Sequence, residues 1–149
     1  MSIPTQPVLS AVRQTAAADS ASALAHFSRA LQLETDCWDV HDSISRAQQD
    51  FVLLDVRNQA LYQRGHLPNA VHFPHGKLIA SRLQQYPADT LFVVYCAGPH
   101  CNGAHKAAVR LAALQRPVKL MIGGITGWLD EGFTLVVEAA DNLQAEPTC

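Results

Sequence analysis

The sequence has little charge and few aromatic residues, and its formal net charge is only −2 over 149 residues. The 11 lysines and arginines are scattered, so the composition does not favour a nucleic-acid-binding surface. No apolar run approaches the length that spans a bilayer. The first twenty residues lack a basic start followed by an apolar core, which argues against a secretory signal. We therefore expect a cytoplasmic protein with neither a nucleic-acid partner nor a membrane partner.

Cysteine is also scarce, with four residues: Cys37, Cys96, Cys101 and Cys149. A chain of this length can bury a core without covalent staples, so an even count does not imply a disulfide framework. The spacing from Cys96 to Cys101 is too wide for the Cys-x-x-Cys of a thioredoxin-like oxidoreductase. No second cysteine pair completes a zinc site. We predict neither a metal nor a cofactor, and no role follows for Cys37 or Cys149.

Short apolar runs alternate with helical patterns along most of the chain. This alternation predicts an α/β fold with a mostly parallel central sheet of about five strands and helices on both faces. The predicted strands are residues 37–40, 51–54, 70–73, 91–95 and 118–122. The predicted helices are residues 21–33, with Ser20 as N-cap, and residues 43–49, 78–86, 103–115 and 125–130.

The composition changes towards both ends of the chain. Residues 1–19 contain two prolines and a soft Ala/Ser/Thr/Gln composition, which predicts a flexible arm with a partial helix at residues 8–16. Residues 20–137 are predicted to form one domain that includes the N-terminal helix. Residues 138–149 are predicted to be a polar tail that frays. The N-terminal helix is a candidate homodimer contact.

The most informative residue is Cys96, which follows a predicted buried strand and precedes a predicted helix. Open α/β sheets place their ligands at this position. Backbone N–H groups of the loop and the positive end of the helix dipole are expected to favour the thiolate, which is the nucleophilic form. The sequence therefore predicts a catalytic Cys96 and a substrate-binding loop made of Ala97, Gly98, Pro99, His100, Cys101, Asn102 and Gly103.

Three motifs follow one another in order along the chain. The first is Leu-Asp-Val-Arg at residues 54–57, with Gly-His-Leu-Pro-Asn-Ala at residues 65–70. The second is the Cys96 loop, and the third is Gly-Gly-x-x-x-Trp at residues 123–128. Together they resemble the single-domain rhodaneses, a family of sulfurtransferases, except that Asn69 stands where a Gly is usual. The resemblance extends over about residues 51–133 and leaves residues 1–35 unexplained.

The resemblance implies a single rhodanese-like domain with sulfurtransferase activity. Cys96 would take a sulfane sulfur from a donor, thiosulfate or a persulfide, and hold it as a persulfide. It would then pass the sulfur to a thiophilic acceptor. The expected partner is a small anionic sulfur donor or a persulfide-bearing protein. Small residues at 97–99 keep the loop tight, and the helix start offers N–H groups to a persulfide anion.

The loop also departs from the family. Many members carry an arginine five residues after the nucleophile, where this chain has Cys101. His100, His105 and Lys106 supply some of the missing positive charge, so we expect thiosulfate to be a poorer donor than a persulfide. Cys101 is a candidate relay that resolves the Cys96 persulfide as a disulfide. The alternative is that Cys101 is only a small residue that fits the loop.

Other residues of these motifs have structural explanations. Asp55 and Arg57 are predicted to form a structural ion pair rather than to border the active site, and His66 and Trp128 are predicted to be structural as well. A metal site that combines His66 with His72 and His75 has irregular spacing and is not favoured.

Rival functions fit the sequence less well. A cysteine phosphatase needs an arginine about six residues after the nucleophile, where this chain has Asn102. The serious alternative is a non-enzymatic rhodanese-like module that binds, regulates or senses redox state.

Overall fold

A computed structural model of the protein describes residues 1–137. The chain divides into two compact units, Met1–Leu31 and Gln32–Cys149. The first contains a 3-10 turn, Ala11–Arg13, where a partial helix was predicted, and most of helix α1, Ser20–Leu33. The domain boundaries and the homodimer contact stay predictions, and the predicted tail at 138–149 lies outside the described residues.

Helix α1 is capped by Asp19, so the prediction of Ser20 as N-cap is wrong. The Asp19 Oδ1 atom accepts a hydrogen bond from the Ser22 N–H at 2.8 Å. The Asp19 carbonyl accepts one from the Ala23 N–H at 3.0 Å. A carboxylate that accepts from a first-turn amide is a strong helix-start signal, and it places Ser20 inside the helix.

The second unit contains a sheet of five parallel strands, which confirms the predicted fold class. The strands stand in the spatial order β1-β5-β4-β2-β3. The two central strands carry the register that matters for the site: Leu54 pairs with Val94, and Asp55 pairs with Tyr95. The strands are β1 (Glu34–Thr35), β2 (Val52–Asp55), β3 (Val71–His72), β4 (Phe92–Tyr95) and β5 (Val118–Met121).

In the described part of the chain, four helices connect successive strands and a fifth follows the last strand. They are α2 (Cys37–Ser45), α3 (Gln59–Arg64), α4 (Ala80–Leu83), α5 (Gly103–Ala113) and α6 (Gly124–Asp130). A 3-10 turn, His75–Lys77, lies between β3 and α4. Among residues 1–137, no helix combines the length and the apolar character that crossing a membrane requires.

The chain after α1 corrects two predictions. Residues 37–40 are not an edge strand but the start of helix α2, because the Asp36 carboxylate accepts from the Asp39 N–H at 2.8 Å and caps a helix there. The edge strand is the shorter pair Glu34–Thr35, and the helix predicted at residues 43–49 is the end of α2 and a turn. Helix α3 was not predicted at all.

The sheet has one apolar core on each face, because successive side chains of a strand point to opposite sides. One core joins alternate strand residues to α4 and α5: Leu54, Phe92, Val94, Leu120, Leu83, Ala107 and Leu111. The other joins the intervening strand residues to α2 and α6: Leu53, Val93, Tyr95, Met121, Cys37, Val40 and Trp128. The carboxyl ends of the parallel strands β2 and β4 lie at the same edge of the sheet, between the helices of its two faces.

Candidate active site

Cys96 is the first residue after β4, at the carboxyl edge of the sheet. Its side chain is buried, with 3% of its surface exposed. The loop then turns tightly, since the Cys101 N–H donates to the Gly98 carbonyl at 3.0 Å. Helix α5 begins at Gly103 without a side-chain cap from Asn102. Cys96 therefore lies beneath a short loop that ends in the uncapped start of a helix, as the sequence predicts.

The start of helix α6 holds this loop from the other side. The Ile125 N–H donates to the Cys96 carbonyl at 3.1 Å, and the Thr126 N–H donates to the Ala97 carbonyl at 3.0 Å. The Thr126 hydroxyl donates to the same Ala97 carbonyl at 3.1 Å. These bonds turn the loop carbonyls towards α6. Thr126 is a site residue that sequence reasoning missed, although it lies two residues after Gly124 in the third motif.

Gly124 permits this close approach of the loop and helix α6. Its φ of +57° lies in the left-handed region, which favours glycine. A Cβ atom at this position would lie 2.8 Å from the Gly98 nitrogen and 2.9 Å from the Ala97 carbonyl carbon. Gly98 is equally confined, since its Cβ would lie 2.7 Å from the Thr126 Oγ1 atom. Gly98 of the second motif and Gly124 of the third motif therefore both lie at the contact between the loop and helix α6.

Several groups act on the pKa of the Cys96 thiol, and their sum raises it above its ordinary value. Burial is the largest influence and raises the pKa, and the charge of Asp55 adds to it. Hydrogen bonds from the backbone N–H groups of Ala97 and Gly103, and the charge of Arg57, lower it. The loop amides act as the sequence predicts. The net shift nevertheless has the opposite sign, because burial outweighs them.

A second sulfur lies beside the first. The Cys101 Sγ atom is 2.8 Å from the Cys96 Sγ atom, and Cys101 is half-buried. The five-residue spacing therefore brings the two cysteines into contact, as a relay requires. The relay itself stays a prediction.

Two cavities formed by the described residues are lined by Cys101 of the loop. The larger has a volume of about 580 Å³ and is lined by Arg57, Leu61, Ala97, Pro99, His100, Cys101, Asn102, His105, Ile125 and Thr126. The smaller, of about 250 Å³, is lined by Cys96 itself, with Glu34, Gly98, Gly124 and apolar residues of β5. Pro99, Cys101 and His105 line both cavities. Of the predicted loop residues, Gly103 contributes its amide to the Cys96 sulfur and lines neither cavity.

A buried ion pair supports the site from strand β2. Arg57 donates from Nη2 to the Asp55 Oδ2 atom at 2.7 Å and from Nε to the Oδ1 atom at 3.0 Å. Arg57 Nη2 also donates to the Gly65 carbonyl at 2.6 Å. Burial lowers the pKa of Arg57, but the pairing with Asp55 outweighs burial and leaves the pKa raised. The predicted structural ion pair is confirmed, yet Arg57 also lines the larger cavity, which the sequence argument did not favour.

The remaining motif residues have structural partners. His66 Nδ1 lies 2.9 Å from the Tyr62 carbonyl, and His72 Nε2 lies 2.9 Å from the Arg57 carbonyl, so each ring donates a hydrogen. Trp128 is fully buried and donates to the Thr134 carbonyl at 3.0 Å, which confirms its place in the core. Within residues 1–137, no group of three His, Cys, Asp or Glu side chains is placed to hold a metal ion.

Cys37 is a buried thiol on the far side of the Gly123–Gly124 turn. Its Sγ atom lies 3.5 Å from the Ile122 carbonyl and 3.6 Å from the Gly124 carbonyl. Burial raises the pKa of Cys37 to about 11, and the charges of Asp36 and Glu131 add to the effect. Cys37 is therefore a protonated packing residue at neutral pH, and no chemistry follows for it.

Two known proteins are similar to this chain in sequence. The chain is 36% identical over 105 residues to the HTH-type transcriptional regulator Rv0324 of Mycobacterium tuberculosis, a match that covers 61% of this chain and 46% of that protein. It is 30% identical over 88 residues to a sulfurtransferase of Allochromatium vinosum, covering 59% of this chain and 80% of that protein. The chain thus spans about half of the first relative and most of the second.

A solved structure and a protein family also match this chain. The crystal structure of the BH2092 protein from Bacillus halodurans superposes with a TM-score of 0.77 at 32% identity, over 80% of this chain and 87% of that one. The rhodanese-like domain family matches residues 39–131, which is more than half of the chain and begins within α2. The chain therefore belongs to the family of rhodanese-like domain proteins.

Proposed function

We propose that this protein is a sulfurtransferase that carries a sulfane sulfur on Cys96. The observation that carries the proposal is the position of the Cys96 sulfur. It lies at the carboxyl end of β4, within hydrogen-bonding reach of the Ala97 and Gly103 N–H groups and on the wall of a cavity. Donors fixed around one sulfur suit an anion that forms there, because they need no rearrangement during the reaction.

The loading step is a displacement at sulfur. With thiosulfate as donor, the Cys96 thiolate attacks the outer sulfur, a Cys96 S–S bond forms, and the S–S bond to the sulfonate breaks. Sulfite leaves with the bonding electron pair, and Cys96 becomes a persulfide. With a persulfide donor, the same attack releases the donor as a thiolate. In discharge, the acceptor attacks the outer sulfur and Cys96 leaves as the thiolate.

The larger cavity suits an anionic donor. Arg57, His100 and His105 line it, and no carboxylate of residues 1–137 does. The guanidinium of Arg57 forms an ion pair with Asp55, which largely neutralises its charge. This weak positive charge supports a persulfide over thiosulfate as the better donor.

The proposal is tested by sulfite release from thiosulfate and by thiol release from a persulfide donor, in the presence of cyanide. Cys96→Ser should release neither, because a hydroxyl cannot take up a sulfane sulfur. Cys37→Ser is the matched control, since it removes a thiol that has no part in the proposed chemistry. Turnover by Cys96→Ser at the parent's rate would contradict the proposal.

A second candidate function has one specific observation in its favour. The relative Rv0324 is a transcriptional regulator, and this chain matches about half of its length. In a regulatory module, Cys96 would take up sulfur or become oxidised without rapid turnover. A stoichiometric burst of sulfite followed by no turnover with any acceptor would favour this candidate, whereas repeated turnover favours the enzyme.

A further inference from the structure

A basic groove lies beside the Cys96 loop, between the 3-10 turn His75–Lys77 and helix α5. Its volume is about 630 Å³, within the range of pockets that bind small molecules. Four basic side chains line it, together with Asn102 and Val109: His75, His105, Lys106 and Arg110. Among residues 1–137, no carboxylate lines this groove, and Lys106 and Arg110 give it positive charge.

Within the described part of the chain, no ion pair neutralises the positive charge of the groove. Lys106 and Arg110 stand one helical turn apart on α5, and both are exposed. Neither forms an ion pair within residues 1–137. The Nδ1 atom of His75 is buried and has no hydrogen-bond partner within the same residues. Burial lowers the pKa of His75, and the charges of Lys106 and Arg110 lower it further.

The groove is continuous with the active site. Asn102 and His105 line both the groove and the larger cavity beside Cys96. The Gly103 N–H that bonds to the Cys96 sulfur is at the start of the same helix. Along the helix axis, Lys106 and Arg110 follow Gly103 by roughly 5 Å and roughly 10 Å. A ligand the size of a tripeptide spans roughly 10 Å, so it can reach from the sulfur into the groove.

We propose that this groove holds the anionic part of the sulfur acceptor, and that the acceptor is a small thiol bearing two or more carboxylate or phosphate groups. The inference rests on the proposed sulfur transfer at Cys96. In the step, the acceptor thiolate attacks the outer sulfur of the Cys96 persulfide. A new S–S bond forms on the acceptor and the Cys96 S–S bond breaks. Cys96 leaves as the thiolate, and the acceptor departs as a persulfide.

A small thiol fits these observations better than an acidic protein. The basic side chains line a concave space that joins the catalytic cavity, rather than a flat surface. Lys106 and Arg110 are also close enough to contact one ligand together, since side chains four residues apart on a helix are neighbours. An acidic protein as acceptor is the competing outcome, and the experiment separates the two.

The test compares acceptors on one loaded protein. The variant Lys106→Gln/Arg110→Gln removes both charges, and Arg64→Gln/Arg82→Gln removes two exposed charges elsewhere as the matched control. Discharge of the Cys96 persulfide is followed with glutathione, which carries carboxylates, with coenzyme A, which carries phosphates, and with cyanide. We expect the ratio of the glutathione or coenzyme A rate constant to that of cyanide to fall about tenfold in the groove variant alone. Added salt should lower the same ratio in the parent protein.

The arms distinguish the possible outcomes. A fall with glutathione alone assigns carboxylates, and a fall with coenzyme A alone assigns phosphates. Unchanged ratios for both thiols would overturn the proposal, even if discharge to an acidic protein slowed. Binding of S-methylglutathione and of desulfo-coenzyme A is measured separately by NMR on the unloaded chain. If Cys96 takes up no sulfur but these ligands bind through Lys106 and Arg110, sulfur transfer is refuted and the anion site stands.

Discussion

Tyr95 donates its phenolic hydrogen to the Asp55 Oδ2 atom over 2.7 Å, across the paired strands β2 and β4. The Tyr95 oxygen in turn accepts from the Leu67 N–H at 3.1 Å. Burial raises the pKa of Tyr95, and the charge of Asp55 raises it further, so the hydroxyl remains a donor. The residue directly before the candidate nucleophile is thus fixed on both sides. The same carboxylate also holds Arg57, so one buried network anchors the ends of both strands.

Tyr95→Phe should lower the free energy of unfolding by about 1–3 kcal/mol, because it leaves the buried Leu67 N–H without its acceptor. Chemical denaturation of the parent and the variant measures the difference. Tyr86→Phe is the matched control, since no hydrogen bond joins the Tyr86 hydroxyl to a residue of 1–137, and we expect a change below about 0.5 kcal/mol. Equal losses for the two variants would show that the Tyr95 hydroxyl has no special role.

Gly124→Ala should slow loading of Cys96 about tenfold or more, because its Cβ would push the loop backbone away from α6. A shift of this kind in a fixed site has large effects on rate. Gly132→Ala is the control, because Gly132 also has a positive φ, +79°, but its Cβ would meet nothing within 4 Å. It should cost only the local conformational energy, about 1–2 kcal/mol of stability, and leave the loading rate near the parent's. Similar loading rates in the two variants would refute the steric account.

Cys101→Ala should lengthen the lifetime of the Cys96 persulfide if the relay operates in the reduced chain. In the relay, the Cys101 thiolate attacks the Cys96 Sγ atom, a Cys96–Cys101 disulfide forms, and hydrosulfide leaves. The reduced parent, once loaded, should then release sulfide without added thiol and yield a linked Cys96–Cys101 peptide. Peptide mapping with differential alkylation and a sulfide assay check both products. Equal persulfide lifetimes without a linked peptide would leave Cys101 as a small loop residue.

Loading of Cys96 should accelerate with pH throughout the neutral range. The pKa of Cys96 lies above its ordinary value, so the thiolate is the minor form at neutral pH and its fraction grows as pH rises towards that pKa. The rate with thiosulfate should therefore increase about tenfold per pH unit between about pH 6.5 and 8. Stopped-flow measurement of sulfite release gives the profile. A plateau reached below pH 7 would mean that the loop amides and Arg57 lower the pKa of Cys96 by more than burial raises it.

The sequence predicted the central strands well because their physical signal is local. Strands β2 and β4 are largely buried on both faces, so each appears as an apolar run, which in β2 ends at Asp55; β5 is apolar except for Lys119. Helix α2 was mistaken for a strand because its first residues, Cys37 to Val40, mix apolar and polar positions over a single turn. The decisive signal was the capping carboxylate of Asp36, which the pattern of hydrophobic residues does not reveal. Helix α3 is only six residues long, with the capping side chain of Asn58 as its main signal.

The position of the candidate site was predictable from the sequence, but the direction of the pKa shift at Cys96 was not. Cys96 and its loop follow from a strand, small residues and a helix in sequence order. The bonds from Thr126 to Ala97 join residues 29 positions apart, so only the folded chain shows them. The sign of the pKa shift at Cys96 depends on how deeply the thiol is buried, which local sequence does not determine. The basic groove was not predicted from the sequence, because only the folded chain brings His75 next to helix α5.

The central claim is that Cys96 carries a sulfur atom that it can pass on. Intact-mass measurement of the reduced protein after brief incubation with a persulfide donor, before and after cyanide, tests it most directly. We expect the parent to gain the mass of one sulfur atom, located on the Cys96 peptide, and to lose it to cyanide with formation of thiocyanate. Cys96→Ser should show no gain. A parent that gains no sulfur, or an equal cyanide-labile gain in Cys96→Ser, would contradict the account.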